Sequence, residues 1–208
     1  MVLNRAFFIL SFVPLLMAQQ PDCASLIPTF NDTIIDQLSG KWYYIASAFG
    51  FRPYQEEAQR IQSSFYYFIP NKTEDVFQGK EYNTIGDKCV YEESEILFNR
   101  TNGILSKIVD PNQRHDVQVM LTQDQNGFFM FVFLNDTVLR GVSLSVSTQK
   151  ASEEHLKEFQ EIVKCLGFRE EELNYTDWSK DKCEPLEKEH IEKQSKEAKD
   201  ASRTEEPS

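Results

Sequence analysis

Residues 128–134 read Phe-Phe-Met-Phe-Val-Phe-Leu, an unbroken apolar run directly after the dipeptide Asn126-Gly127. Asn-Gly between apolar stretches is typical of a β-hairpin, so the run is predicted to be a strand. Successive side chains of a strand point to opposite faces, so this strand carries large apolar groups on both. Residues 65–68, Phe-Tyr-Tyr-Phe, repeat the feature. Because a sheet with water on one face would not show this pattern, we predict a sheet that is covered on both faces.

Similar segments recur through the middle of the chain, between residues 40 and 148, and turn residues such as Pro70-Asn71 and Asp110-Pro111 separate them. Their close spacing favours an all-β barrel or sandwich. A closed, eight-stranded, antiparallel up-and-down barrel covers one face with its own lumen, which has room for one small ligand. The alternative is that the inward aromatic rings simply fill the core. The eight predicted strands are 40–49, 61–69, 76–82, 89–98, 104–109, 117–121, 128–134 and 142–146.

The hydrophobic period changes after residue 150. Between Leu156 and Leu166 the apolar residues recur at helical spacing. Ser152 is a suitable N-cap, two glutamates follow it in the first turn, and Gly167 is a suitable end. We therefore predict one C-terminal α-helix, 152–166, packed on the outside of the barrel.

The two ends of the chain differ from its middle. Residues 1–18 contain one cation, Arg5, then a short apolar run that ends in Ala18, which predicts a secretory signal peptide. The run is shorter than the ~20 apolar residues that span a bilayer. Residues 184–208 contain eight acids, five bases and almost no apolar residues. The predicted organisation is a signal peptide (1–18), one barrel domain with its flanking helix (19–183), and an acidic, flexible C-terminal tail (184–208), helical at most near 188–199.

Net charge limits the class of partner. The formal charge is −11, and it becomes −12 without Arg5. Such a chain repels phosphate backbones and anionic membrane surfaces, so we expect no nucleic-acid partner. No segment after residue 18 is apolar enough to cross a membrane, so we expect no integral membrane contact.

Cysteines and glycosylation motifs support an oxidising compartment. Four cysteines in a secreted chain indicate two disulfides, and the residues alone leave three pairings open. Five Asn-x-Thr triplets are predicted N-glycosylation sites on exposed turns or strand ends. Their acceptors are Asn31, Asn71, Asn99, Asn135 and Asn174.

Motifs of catalysis and metal binding are missing from the sequence. Ser143 follows Gly141-Val142, but position 145 is serine, so there is no Gly-x-Ser-x-Gly nucleophile motif. The three histidines stand apart, and no His-Glu-x-x-His motif occurs. We therefore predict a protein that is not an enzyme and binds no metal or cofactor. Two alternatives stay open: an isomerase that uses a free barrel cysteine, and a glycoprotein whose glycans act while the barrel serves as scaffold.

The triplet Gly40-Lys41-Trp42, which opens the first predicted strand, resembles the signature of the lipocalin family. Residues 40–49, 68–75 and 175–187 sharpen this to a plasma-carrier branch of the family, and the similarity runs over essentially the whole chain. The resemblance implies a secreted, acute-phase transport protein that binds basic and neutral lipophilic compounds such as drugs and steroids, and modulates inflammation. It also implies a monomer that can meet cell-surface receptors through its glycans.

The resemblance also assigns roles to residues. It implies the disulfides Cys23–Cys165 and Cys89–Cys183. It implies that Glu81 pairs with a ligand ammonium group. The alternative is that Glu81 is only a solvent-exposed charge at the end of a strand. Arg140, Ser145 and Lys107 stand where family members can carry tryptophan, tyrosine and arginine. The implied ligand-binding residues are Tyr44, Phe49, Tyr54, Ala58, Ile61, Glu81, Lys107, Met130, Val132 and Ser143.

Overall fold

A computed structural model of the chain describes residues 33–71, 75–99, 103–110, 113–134 and 138–204. The predicted signal peptide, Cys23, Asn31 and Asn135 lie outside the described residues. The helices are α1 (Thr33–Leu38), α2 (Arg52–Arg60), α3 (Glu153–Leu166) and α4 (Glu184–Thr204). The strands are β1 (Gly40–Phe49), β2 (Ile61–Pro70), β3 (Val76–Ile85), β4 (Lys88–Asn99), β5 (Ile104–Asp110), β6 (Gln113–Leu121), β7 (Gly127–Leu134), β8 (Leu139–Val146) and β9 (Leu173–Tyr175).

The first eight strands form a closed antiparallel barrel. Each strand from β2 to β7 pairs with the next along the chain, β8 pairs with β1, and β1 pairs back onto β2. This confirms the predicted fold, and each predicted strand overlaps an observed one. The ninth strand, β9, was not predicted. It adds to β1 over Ala46–Ala48, beyond the point where the β1–β2 pairing ends at Tyr44.

Strand register divides the apolar side chains between the lumen and the outer surface. Trp42 pairs with Tyr66, and both belong to the inner cluster together with Phe128. The neighbouring Phe129 and Phe131 belong instead to an outer cluster, and both are almost completely buried. The prediction of large apolar groups on both faces of β7 is therefore confirmed.

Helix α3 covers the outer cluster. Its side chains Phe159, Ile162 and Val163 pack against the outward residues of β1, β7 and β8. Ser152 caps the helix, since its hydroxyl accepts a hydrogen bond from the His155 backbone N–H at 3.1 Å. Gly167 ends it in the left-handed conformation at φ 77°, which suits glycine. The helix and both of its ends are as predicted.

The C-terminal segment differs from the expected flexible tail. Residues 184–204 form helix α4, and its first turns pack on the outside of the barrel. Glu187 is buried and bonds to the Lys41 ammonium group and the Tyr67 hydroxyl. His190 Nδ1 lies 2.9 Å from the Tyr82 hydroxyl. A charged segment can pack in this way because its buried carboxylate is paired. The prediction that residues 184–208 form a flexible tail is therefore wrong for these first turns of α4. Beyond them, residues 192–200 are exposed.

Short helices lie at the two ends of the barrel. At one end, Ile34 and Leu38 of α1 join the inner cluster, and the Leu38 carbonyl accepts a hydrogen bond from Trp42 Nε1 at 2.8 Å. This end is the closed floor. Helix α2 lies over the opposite end, the mouth, where β1 ends and β2 begins. Among the described residues, no helix combines the length and apolar character needed to cross a membrane.

Candidate functional site

Helix α2 covers the mouth of the barrel. Pro53 stands in its first turn, where a missing N–H costs nothing and the fixed φ favours helix. Tyr54 and Ala58 lie one helical turn apart and are the buried residues of the helix, at 9% and 4% exposure. Apart from Pro53, the remaining side chains of α2 are polar, and most of them are exposed. The helix is therefore a lid with one inward face.

The structure brings the ten predicted ligand-binding residues together in the lumen or on the lid. Strand register aligns Glu81 with the inward-facing Tyr66, and it aligns Met130 with the inward-facing Val119. Tyr44, Phe49, Ile61, Glu81, Lys107, Met130, Val132 and Ser143 come from six strands, and Tyr54 and Ala58 come from α2.

An ion-pair cluster crosses the inner wall near the mouth. The Lys107 ammonium group lies 3.5 Å from a Glu81 carboxylate oxygen and 2.9 Å from one of Glu92. Glu81 also accepts a hydrogen bond from the Asn83 amide at 2.8 Å. Interaction with the two carboxylates raises the pKa of Lys107 in spite of the opposing effect of burial, so the lysine stays charged. The lumen therefore holds two carboxylates and one cation at this level.

Two hydroxyl pairs lie deeper in the lumen. The Tyr44 hydroxyl donates to Ser47 Oγ, and the Tyr66 hydroxyl donates to Ser145 Oγ at 2.7 Å. Burial raises the pKa of Tyr44 to about 12 and raises that of Tyr66 further. Both phenols are therefore neutral in the physiological range. Ser145, one of the departures from the family, is fully buried in this pair.

The ring of Tyr54, on the lid, lies among other aromatic rings. The centroid of the Tyr54 ring lies 5.8 Å from that of Phe49, 5.2 Å from that of Phe51 and 5.2 Å from that of His115. The Tyr54 hydroxyl is buried, and among the described residues it has no hydrogen-bond partner. A buried polar group without a partner costs about 1–3 kcal/mol, so this hydroxyl favours a ligand that can bond to it.

Sequence reasoning missed two residues of the mouth. Gly141 pairs with Phe49, whose ring lies where a side chain at Gly141 would stand. His115 pairs with Lys107 on the inner wall, and burial lowers its pKa, so the imidazole is neutral at pH 7. No local sequence motif marks Gly141 or His115, because the role of each residue depends on a side chain of the neighbouring strand. Arg140, the other departure, lies with its guanidinium carbon 5.8 Å from the Phe51 ring centroid.

The described cysteines are all disulfide-bonded. Cys89 pairs with Cys183 with a Cα separation of 4.9 Å, as the resemblance implies. Cys165 is disulfide-bonded too, and its expected partner, Cys23, lies outside the described residues. The described part of the chain holds no group of three or more His, Cys, Asp or Glu side chains that could bind a metal ion.

The sequon asparagines differ in their surroundings. Asn71 and Asn99 are exposed at strand ends, as predicted for glycan acceptors. Asn174 is half-buried within β9, where its side chain is hydrogen-bonded. This position departs from the expected exposed turn.

A protein-family comparison identifies the class of the chain. The model of the lipocalin / cytosolic fatty-acid binding protein family matches residues 39–180, which is more than half of the chain. The fold is also that of solved lipocalins. The siderocalin Ex-FABP aligns over 67% of this chain and 93% of its own at a TM-score of 0.55 and 15% identity. Lipocalin 12 from rat epididymis aligns over 69% of this chain and 84% of its own, at a TM-score of 0.56 and 16% identity. The chain therefore belongs to the lipocalin family.

Within that family the similarity extends to particular proteins. The alpha-1-acid glycoprotein of Bos taurus is 44% identical over 95% of this chain and 98% of its own. That of Oryctolagus cuniculus is 42% identical over the same shares of the two chains. Alpha-1-acid glycoprotein 3 of Mus musculus is 35% identical over 96% of this chain and 97% of its own. The narrower resemblance of residues 40–49, 68–75 and 175–187 is to these proteins, and the comparisons confirm it.

Proposed function

We propose that the protein is a secreted plasma carrier that holds small lipophilic molecules, basic and neutral, in its barrel. The observation that carries this proposal is the lidded mouth, where Tyr54 and Ala58 of α2 face an aromatic and aliphatic lumen. Burial of apolar ligand surface against such walls contributes ~25 cal/mol per Å². The similarity to alpha-1-acid glycoproteins supports an acute-phase role in plasma.

Charge at the mouth supports a preference for cationic ligands. Glu81 and Glu92 face a single cation, Lys107. Glu57 on the lid acts electrostatically on Tyr54 and on His115. The two carboxylates of Glu81 and Glu92 thus outnumber the lysine that pairs with them, beside a neutral His115. A ligand ammonium group is thus attracted to the mouth, and the aromatic faces can hold it by cation–π contact.

The change Tyr54→Ala tests the lid as a wall of the site. The variant is expected to bind every lipophilic ligand about fivefold to tenfold more weakly, because it loses an aromatic surface over the lumen. Isothermal titration calorimetry with amines and neutral analogues of similar shape measures the effect. Tyr54→Phe is the matched control, since it keeps the ring and removes the hydroxyl. Equal affinities for wild type and Tyr54→Ala would show that ligands do not reach the lid.

The change Glu81→Gln tests the charge preference. We expect lipophilic amines to bind about fivefold more weakly, while neutral analogues change by less than about twofold, because the carboxylate attracts only the charged group. Glu95→Gln is the control, since Glu95 is exposed on the outer face of β4. An unchanged ratio of amine to neutral affinity in Glu81→Gln would leave only the apolar lumen to explain binding.

Two other functions were open from the sequence. A cysteine-dependent isomerase requires a free thiol, and none of the three described cysteines is free. The exposure of Asn71 and Asn99 favours the second function, in which the glycans act and the barrel serves as their scaffold. Removal of the glycans separates this function from the carrier, because ligand binding by the lumen should survive it while glycan-dependent receptor effects should not. As a carrier with one internal site per chain, we propose that the protein acts as a monomer.

A further inference from the structure

The strand β9 and the lid α2 are joined by a side chain at the mouth. Strand β2 pairs with β1 only as far as Tyr44, and β9 occupies the edge of β1 beyond that point. Asn174 lies opposite Ser47 in this pairing. Its Nδ2 donates a hydrogen bond to the Ala58 carbonyl oxygen at 3.0 Å. Ala58 is one of the buried residues of α2, so the bond ties β9 directly to the last turn of the lid.

The Asn174 side chain also lies close to the inner wall. It partly offsets the rise that burial causes in the pKa of the Tyr44 hydroxyl, and that hydroxyl donates to Ser47. The amide therefore lies between the lid and the inner wall. Nearby, Gln55 Nε2 of α2 donates to the Glu171 carbonyl at 2.8 Å, just before β9 begins. The segment 171–174 thus holds the lid at two points.

Asn174 is at the same time the acceptor of a sequon, Asn174-Tyr175-Thr176. N-glycosylation replaces one hydrogen of Nδ2 by a sugar, so a modified Asn174 keeps a single N–H and carries the sugar on the same atom that donates to Ala58. It would also place a bulky group between β9 and the lid at a half-buried position.

We propose that unmodified Asn174 is a latch that holds α2 over the barrel mouth, and that a glycan on the same nitrogen releases the lid. Exchange of ligand through the mouth, which rests on the proposed carrier function, is then slow in chains without this glycan and fast in chains that carry it. Asn174 is a positioning residue, because it acts through the lid.

The first test uses the full chain exported to the periplasm of a bacterial host, where disulfides form without N-glycans. Asn174→Leu keeps the side-chain size and removes both N–H groups. Hydrogen exchange of the α2 amides, read by mass spectrometry, is expected to become about threefold to tenfold faster, with the barrel strands unchanged. Tyr175→Leu is the control, since this exposed neighbour in β9 faces Phe159 of α3 and not the lid. Unchanged exchange in α2 would overturn the latch.

A second variant keeps the test valid if Asn174→Leu folds poorly. Gln55→Leu removes the other hydrogen bond between α2 and the segment 171–174, from a half-buried position, and leaves β9 intact. It is expected to speed exchange of the same amides by about threefold. If both variants leave the lid as protected as in the wild type, the segment 171–174 does not hold it.

Ligand release is measured separately. N-phenyl-1-naphthylamine, a lipophilic fluorescent probe, should leave Asn174→Leu about threefold to tenfold faster than the wild type in stopped-flow displacement. Faster α2 exchange without any probe binding to the wild type would contradict the carrier function and leave the latch standing. Probe binding with equal release rates would show that the lid does not control the mouth.

The glycan is tested in chains secreted from animal cells. The other four sequons are removed by Thr33→Ala, Thr73→Ala, Thr101→Ala and Thr137→Ala. Lectin chromatography then separates chains with and without a glycan at Asn174. In chains with a glycan at Asn174, the α2 amides should exchange hydrogen as fast as they do in Asn174→Leu. In chains without this glycan, they should exchange as slowly as in the wild type. Equal protection of the lid in both, or no occupied chains at all, would overturn the release by glycan.

Discussion

A chain with Cys89→Ala and Cys183→Ala is expected to lose about 2–5 kcal/mol of its free energy of unfolding. The two residues are 94 positions apart, so the bond closes a long loop and removes much chain entropy from the unfolded state. Cys183 is also fully buried, and its Sγ lies 3.7 Å from the Thr84 hydroxyl. The bond fixes the start of α4 to the end of β3 and the start of β4.

Loss of the bond should also free the start of α4. Its remaining polar contacts with the barrel are those of Glu187 with Lys41 and Tyr67, and that of His190 with Tyr82. These few polar contacts hold the helix only while their geometry is kept, so hydrogen exchange in α4 should rise far more than in α3. Guanidinium denaturation followed by near-ultraviolet circular dichroism measures the stability. Glu187→Gln, with the disulfide intact, is the control for the ion pair alone. If the double alanine variant unfolds at the wild-type midpoint, the bond does not stabilise the native state.

The barrel could be predicted because each of its strands carries its own signal. Residues 128–134 are long, apolar and preceded by Asn-Gly, and residues 61–69 and 142–146 are bounded by turns. These patterns are local, and strand periodicity together with turn chemistry is enough to find them. The assignment of side chains to the lumen also followed, since strand alternation and the family resemblance placed Tyr44, Met130 and Val132 on one side.

The parts that were not predicted depend on contacts made far along the chain. Helix α2 has only two apolar residues at helical spacing, Tyr54 and Ala58, although Pro53 in its first turn was a usable signal. Strand β9 has three residues, too few for a period, and it exists because β1 has a free edge beyond Tyr44. Helix α4 is charged throughout, so its packing could not be seen before Glu187 and Lys41 were placed side by side.

The change Gly141→Ala is expected to destabilise the protein by about 2–3 kcal/mol. A Cβ atom there would lie 2.1 Å from Phe49 Cδ1 and 2.7 Å from the Ala48 carbonyl oxygen, closer than atoms can approach. The ring could turn away, but the carbonyl belongs to the backbone of β1, which pairs with β8 at this position. Both strands must therefore shift. Gly50→Ala is the matched control, because its nearest contact would be Phe168 Cε1 at 3.4 Å.

The ring clash can be separated from the backbone clash with a double-mutant cycle. Phe49→Ala removes the ring, so in the Gly141→Ala background it should cost less stability than in the wild type. The remaining loss then measures the strain against the Ala48 carbonyl. Because Phe49 also packs on Tyr54 of the lid, its displacement in Gly141→Ala should weaken binding of lipophilic ligands as well. Additive losses of stability in the cycle would mean that the Phe49 ring is not what requires glycine at position 141, and that the backbone of β1 alone does.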